Sequence, residues 1–208
     1  MLMPPSLVVS GAVEGPTDEA VLRRLLEEAG VAAGSVFGKS GKAFLRQNVQ
    51  RYNRAAHHFP WIVLVDLNRE AECAPALCKA WLPNPASQMC FRVAVREVES
   101  WLLADRERFA RFLSVAITKI PRNPESLEDP KRAIVDLAAQ SRRREIREDM
   151  TPRPGSGRRI GPAYTSRIIE FVTDRHFGWR PNVAAKSADS LHRCLRRFRR
   201  FLDACSGK

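Results

Sequence analysis

The sequence predicts an α/β protein, with a mostly parallel four-stranded sheet flanked by helices and a helical, basic C-terminal extension. Strand-like apolar runs alternate with helical periodicity about four times within residues 1–105. One of these runs, 59–65, is continuously apolar, as expected for a strand buried on both faces of a parallel sheet. Residues 106–208 show no strand pattern, and we expect them to form an arginine-rich helical domain packed on the first.

Local signals place the elements in order. After a strand at 7–13, Gly15 and Pro16 start a helix that ends at Gly30. The other elements of the first domain are predicted at 31–37, 43–57, 59–65, 75–82, 91–95 and 100–105. The extension is predicted to contain helices at 106–116, 131–145 and 163–171. It ends in a terminal helix with an apolar stripe made of Leu191, Cys194, Leu195, Phe198, Leu202 and Cys205.

The positive charge is concentrated in the second half of the chain. The 208 residues carry a net charge of +12. Residues 1–104 contain 11 Lys and Arg against 10 Asp and Glu, whereas residues 105–208 contain 24 against 13. Because Lys and Arg neutralise phosphates, this one-sided charge predicts a nucleic-acid partner. The alternative is a basic surface that binds nucleic acid only non-specifically.

Other composition signals argue against several classes of protein. Five cysteines without a CxxC pair indicate neither a zinc site nor a disulfide framework. The N-terminus lacks the pattern of a secretory signal, and no apolar run reaches membrane-spanning length. A reducing cytoplasm is the expected compartment, with no membrane partner.

Acidic side chains follow three of the predicted strands. Glu14 ends the first, Asp66 ends the third, and Glu97 and Glu99 follow the fourth. If these strands are parallel neighbours, their carboxyl ends meet at one edge of the sheet, where open α/β sheets bind ligands. Clustered carboxylates suit Mg²⁺ or Mn²⁺, which can activate water against a phosphodiester. For any single acid, the alternative is a solvated strand end.

Neighbouring residues are given more modest roles. Asp18 and Glu19 are interpreted as first-turn charges that complement the helix dipole. The glycine-rich stretch 34–40 falls one residue short of a P-loop and does not predict ATP binding. Lys39 and Lys42, on the same loop, are candidates to contact a phosphate near the acidic edge.

A family resemblance rests on these same stretches. The run Val13-Glu14-Gly15-Pro16-Thr17-Asp18-Glu19, followed by a strand ending in Asp66-Leu67-Asn68, resembles the Toprim domain of topoisomerases, primases and overcoming-lysogenization-defect type nucleases. An uncharacterised bacterial Toprim-like family is more similar still. Its further motifs are found at 64–67, 96–101, 129–131, 161–164, 184–187 and 190–191.

The resemblance implies a role for each acidic residue. Glu14 would be the Toprim glutamate, which acts as acid or base or helps to hold the metal, and Asp66 would be the first aspartate of the Asp-x-Asp pair. Asn68 stands where the second aspartate is expected, so the site would have one charge fewer. The candidates to supply that missing carboxylate are Glu70, Glu72, Glu97 and Glu99, and the strand-end position favours the last two.

The leading hypothesis is a cytoplasmic, Mg²⁺-dependent nuclease. The residues expected to hold the nucleic-acid backbone are Lys39, Lys42, Arg158, Arg159, Arg196, Arg197 and Arg200. The resemblance further implies a role in bacterial genome defence or maintenance with an ATPase partner. The alternatives are a catalytically degenerate module that binds nucleic acid or a partner protein without cleaving, and a purely protein-binding subunit.

Overall fold

The computed structural model describes residues 7–205 and confirms the predicted α/β class. Its sheet consists of β1 (Val8–Val13), β2 (Ala32–Gly38), β3 (Trp61–Asp66) and β4 (Met89–Ala94). The four strands are all parallel, in the order β2-β1-β3-β4. As predicted, no strand occurs after β4 in the described part of the chain.

The central strand β3 explains why the sequence forms a parallel sheet. All six of its residues are buried, and Ile62 and Leu64 are fully inaccessible to solvent. Burying one such side chain stabilises the fold by about 1.5–3 kcal/mol. Val13 of β1 pairs with Leu64, and Ala94 of β4 pairs with Asp66. The carboxyl ends of β1, β3 and β4 therefore lie along the same edge of the sheet.

Three helices connect these strands: α1 (Pro16–Glu28), α2 (Lys42–Ala55) and α3 (Ala74–Trp81). Helix α1 begins with the predicted proline, and Gly30 follows its end with a φ of +71°. It packs against β1, β2 and β3, whereas α2 contacts β1 and β3 and α3 contacts β4. The crossover helices thus cover the sheet as parallel connections require.

The residues that follow β4 form further helices. They are α4 (Val98–Ala104), α5 (Arg106–Leu113), α6 (Pro130–Ala138), α7 (Arg144–Met150), α8 (Tyr164–Thr173), α9 (Pro181–Ala184) and α10 (Asp189–Cys205), with 3-10 turns at Ile117–Lys119 and Pro124–Ser126. The structure corrects the single helix predicted at 131–145. Ser141 is buried and accepts a hydrogen bond from the amide of Arg143, and the Arg142 amide donates to the carbonyl of Ser114. These bonds replace the regular backbone hydrogen bonds of a helix, and they separate α6 from α7.

The chain packs as two compact units. The described part of the first runs from residue 7 to Ala94 and from His192 to Cys205, and the second is Val95–Leu191. This division falls before the predicted boundary at residue 105, and most of α10 belongs to the first unit. The boundaries 1–105 and 106–208 stay a prediction about domains.

Helix α10 has the amphipathic character that the sequence predicts. Leu191, Cys194, Phe198 and Leu202 are buried, while Leu195 and Cys205 are only partly covered. Phe201, which the predicted stripe omits, is also buried. The arginines of the helix are exposed. Among residues 7–205, no helix is long and apolar enough to cross a membrane.

Candidate functional site

The first candidate site lies at the carboxyl ends of β1 and β3. We call it the strand-end site and define it as Glu14, Asp66 and Asn68. The main-chain amide of Asp66 donates a hydrogen bond of 2.8 Å to Oε1 of Glu14. Glu14 is half-buried, and Asp66 is buried with 7% of its surface exposed. The structure thus places the Glu14 carboxylate beside the backbone of Asp66, at the ends of β1 and β3.

Backbone bonds from the β2–α2 loop hold Glu14 in place. The amide of Gly41 donates to the carbonyl of Glu14 at 3.0 Å, and the amide of Lys39 donates to the carbonyl of Val13, also at 3.0 Å. Gly38 comes so close to β1 that a β-carbon would lie 2.2 Å from the Val13 oxygen. Only glycine fits there. The glycine therefore allows the close approach of the loop to β1 that holds Glu14 in position.

Asn68 lies just beyond β3 in the left-handed region, with a φ of +50°. Asparagine and aspartate adopt this conformation more readily than other side chains with a β-carbon. The backbone at this position would therefore accept an aspartate equally well. The side chain itself is a neutral amide.

Lys42 makes contacts within the protein next to this site. Its Nζ donates to the carbonyl of Asp66 at 2.5 Å and forms an ion pair of 3.0 Å with Glu70. Glu70 also accepts a hydrogen bond from the indole of Trp81 and pairs with Arg46. Burial would raise the pKa of Glu70, but the bonds from Trp81 and Lys42 outweigh it and lower that pKa. Glu70 is therefore an ionised partner of Lys42.

The other lysine of the loop also has an acidic partner. Lys39 pairs with Glu19 of α1 at 3.0 Å, and Glu19 pairs with Arg23 in turn. Burial would raise the pKa of Glu19, but the bonds from Lys39 and Arg23 lower it overall. Asp18 and Glu19 lie in the first turn of α1, as expected for charges that complement the helix dipole. Phosphate contacts by Lys39 and Lys42 stay a prediction.

The second unit contains an acidic group of its own. We call it the Glu99 cluster and define it as Glu97, Glu99, Lys131 and Tyr164. Glu99 is 1% exposed, and its Oε1 lies 3.3 Å from Nζ of Lys131 and 3.5 Å from the hydroxyl of Tyr164. Glu97 accepts a hydrogen bond from the amide of Lys131 at 3.2 Å. Three of the short motifs that suggested the family resemblance therefore meet here.

Burial dominates the electrostatics of the Glu99 cluster. It raises the pKa of Glu97, and the negative charge of Glu99 raises it further. Burial and the same carboxylate raise the pKa of Tyr164 well above its usual value. Oε2 of Glu99 is buried and has no hydrogen-bond partner among the described residues. Burying such an atom without a partner costs free energy.

The predicted arginines fall in two places. Arg158 and Arg159 are exposed on the loop between α7 and α8, where Arg159 forms an ion pair with Asp129. Arg196, Arg197 and Arg200 are exposed on α10 in the first unit. The sequence missed the contacts of Lys131 and Tyr164 with Glu99. The motifs that contain these three residues could be recognised in the sequence, but nothing in their spacing indicated that the residues would be in contact.

By residue type, the strand-end site suits a magnesium ion that takes few protein ligands. No group of three or more His, Cys, Asp or Glu residues that could hold a metal is found within residues 7–205. Mg²⁺ commonly takes only one or two carboxylates and completes its shell with waters and substrate phosphates. In such a site Glu14 and Asp66 would supply two carboxylates, and Asn68 would offer an amide oxygen. That Glu97 or Glu99 supplies a further carboxylate stays a prediction.

Comparison with known proteins places the chain in a family. Searches of curated proteins and of solved structures found no match. A family model described as a domain of unknown function, DUF4276, matches residues 13–170. This range includes the strand-end site and the Glu99 cluster and leaves out all of α10. Because the model covers more than half of the 208 residues, the chain belongs to the DUF4276 family.

Proposed function

We propose that this protein is a Mg²⁺-dependent nuclease whose phosphodiester hydrolysis takes place at the strand-end site. One observation carries the proposal: Glu14 and Asp66 end neighbouring parallel strands and are joined by the 2.8 Å bond from the Asp66 amide to the Glu14 carboxylate. This is the edge of an α/β sheet at which ligands bind. Two acids held together there, in a chain with a net charge of +12, suit a negatively charged substrate and a divalent cation.

Each residue of the site would have a distinct role. Asp66 and Glu14 would hold the metal, and Glu14 is also the candidate general base. Asn68 would add a neutral oxygen. The bound metal would supply a polarised phosphoryl group and a more acidic water. Lys42 fixes the carbonyl of Asp66 and so keeps the end of β3 in position.

The substrate, the biological role and the partner protein are also proposals. The excess of basic residues in the second half favours nucleic acid as the substrate. By the Toprim resemblance, the protein would act in bacterial genome defence or maintenance together with an ATPase partner.

A second candidate function is a module that binds nucleic acid or a partner protein without cleaving it. It is favoured by the neutral side chain of Asn68 and by the lack of a three-residue metal cluster in the described chain. A site with two carboxylates binds Mg²⁺ more weakly than one with three. Such a module would keep the basic surface but would not hydrolyse phosphodiester bonds.

A cleavage assay separates the two functions. Supercoiled plasmid DNA and structured RNA are incubated with Mg²⁺ or Mn²⁺ and with wild type, Glu14→Gln or Asp66→Asn. Glu27→Gln is the matched control because it removes an exposed carboxylate of α1. We expect metal-dependent cleavage that falls by about 100-fold or more in both site variants and is unchanged in the control.

Two other results would decide against the nuclease. Equal cleavage in wild type and both site variants would mean that the activity comes from a contaminant. If wild type binds nucleic acid in a salt-dependent manner but cleaves none of the substrates, the non-catalytic module is the correct function.

A further inference from the structure

A pocket of about 310 Å³ lies in the first unit between α3, β4 and α10. Its lining contains five arginines, namely Arg92 of β4 and Arg193, Arg196, Arg197 and Arg200 of α10. Small side chains of α3 and β4 form the rest of the wall, and among them is Cys78. The described residues that line the pocket include no carboxylate.

Helical spacing concentrates the arginines of α10. Residues 193, 196, 197 and 200 are related by steps of three and four, which place them on one face of a helix. Cys194 and Phe198 are buried on the other side and fix the rotation of the helix. The basic face is therefore a consequence of how the helix is anchored.

Few of these guanidinium groups are neutralised within the protein. No ion pair to a carboxylate is found for Arg92, Arg196, Arg197 or Arg200 within residues 7–205. Nε of Arg92 is buried without a hydrogen-bond partner there. By contrast, Arg180 of the second unit is paired with Asp105. Like charges gathered without counter-charges repel one another, and a bound anion would offset that repulsion.

The chemistry of the lining identifies the class of anion. Guanidinium groups bind phosphate oxygens through parallel hydrogen bonds. A pocket of this volume is at the small end of the range for ligand sites. A terminal phosphate group can enter such a pocket, whereas an internal diester must continue in both directions and carries a single charge. Several arginines suit the greater charge of a terminal group.

We propose that this arginine pocket binds a terminal phosphate group, either of a nucleic-acid strand end or of a free nucleotide. The site is distinct from the strand-end site, and its function is binding. It does not depend on metal, so it can be tested with EDTA present and without reference to cleavage.

The test compares three fluorescent oligonucleotides of one sequence by anisotropy in EDTA. One has a 5′ phosphate, one a 3′ phosphate and one no terminal phosphate. ADP is titrated separately by calorimetry. Each ligand is measured with wild type, Arg200→Gln and Arg199→Gln. The last variant is the control because it removes the same charge from the adjacent position of α10, outside the pocket lining.

We expect one terminally phosphorylated oligonucleotide, or ADP, to bind about tenfold more weakly to Arg200→Gln than to wild type, because a hydrogen bond to a charged group is lost. Arg199→Gln should change this affinity less than twofold. If wild type binds a terminally phosphorylated oligonucleotide more tightly than the unphosphorylated one, the ligand is a strand end. If it binds ADP and does not distinguish the three oligonucleotides, the ligand is a nucleotide.

Two results would overturn the proposal. One is equal binding of all three oligonucleotides by wild type together with no binding of ADP. The other is an equal loss of affinity in Arg199→Gln and Arg200→Gln, which would mean that only net charge matters. Circular dichroism of both variants confirms that the helix is intact.

Discussion

The main-chain amide of Asp66 donates a hydrogen bond of 2.8 Å to the carboxylate of Glu14. These residues are far apart in the sequence and end two neighbouring strands. Lys42 binds the carbonyl of the same aspartate. The end of β3 is therefore tied to the end of β1 and to α2, which gives the proposed metal ligands a rigid base.

Placing a carboxylate at position 68 should strengthen metal binding. Asn68→Asp adds a charged ligand at a φ of +50°, which aspartate tolerates. We expect the Mg²⁺ concentration for half-saturation to fall by about tenfold, equivalent to about 1.4 kcal/mol. Asn68→Gly keeps the backbone conformation without a ligand and should bind no more tightly than wild type. Calorimetric titration with Mg²⁺ measures the affinity of both variants. An unchanged affinity in the aspartate variant would mean that residue 68 is not a metal ligand.

Gly38 should be much less tolerant of substitution than Gly41. Both have φ values near +90°, so alanine is strained at each. At Gly38 the new β-carbon would also lie 2.2 Å from the oxygen of Val13, whereas at Gly41 no atom lies within 4 Å. We expect Gly41→Ala to cost about 1–2 kcal/mol and Gly38→Ala clearly more. Urea denaturation gives both values, and equal costs would contradict the close approach of the loop to β1.

The ion pair of Arg180 with Asp105 should stabilise the second unit. Asp105 is 1% exposed, and Arg180 meets both of its oxygens, at 2.9 and 2.7 Å. Arg180→Met would leave a buried charge unpaired, at a cost of about 2–3 kcal/mol, because the 32% exposure of the Arg180 side chain weakens the pair. Arg144→Met, which breaks an exposed pair with Glu148, should leave the urea midpoint unchanged. Similar midpoints for the two variants would show that the buried pair is unimportant.

Glu97 should make stability depend on pH. Burial and the charge of Glu99 raise its pKa above the reference value of 4.5. From about the unfolded pKa up to the raised one, the folded state binds more protons, so stability falls as pH increases through that interval. Glu97→Gln should therefore melt at a higher temperature than wild type at pH 8, with a smaller difference at pH 5.

The control for this prediction is Glu145→Gln. A hydrogen bond from Arg143 lowers the pKa of the exposed Glu145, so this variant should gain no stability at pH 8. Melting curves at the two pH values provide the comparison. A Glu97→Gln variant that is no more stable than wild type at pH 8 would contradict the unfavourable environment of that carboxylate.

Much of the fold could be predicted because local signals decide it. The continuous apolar run of β3, the proline at the start of α1 and Gly30 after its end each have a single good structural interpretation. The break between α6 and α7 could not be predicted, because it depends on the buried side chain of Ser141 and on a bond to the distant Ser114.

The strand-end site was predictable for a similar reason. Parallel strands bring their carboxyl ends to one edge, so Glu14 and Asp66 were expected to be neighbours as soon as the strands were recognised. The contact of Glu99 with Lys131 and Tyr164 depends on how several short helices pack, and no periodicity encodes it. The sequence predicts only part of the arginine pocket. The spacing of α10 indicates one basic face, but it does not indicate that this face lies beside Arg92.

The most direct test of the proposed function is a crystal structure of the protein soaked in Mn²⁺, with data collected for anomalous scattering. We predict an anomalous peak at the carboxyl ends of β1 and β3, with oxygens of both Glu14 and Asp66 about 2.0–2.3 Å away. In crystals of the Asp66→Asn variant, this peak should be absent or much weaker. A well-ordered wild-type site without a peak, or a peak that does not touch these two carboxylates, would contradict the assignment of the strand-end site as the metal centre.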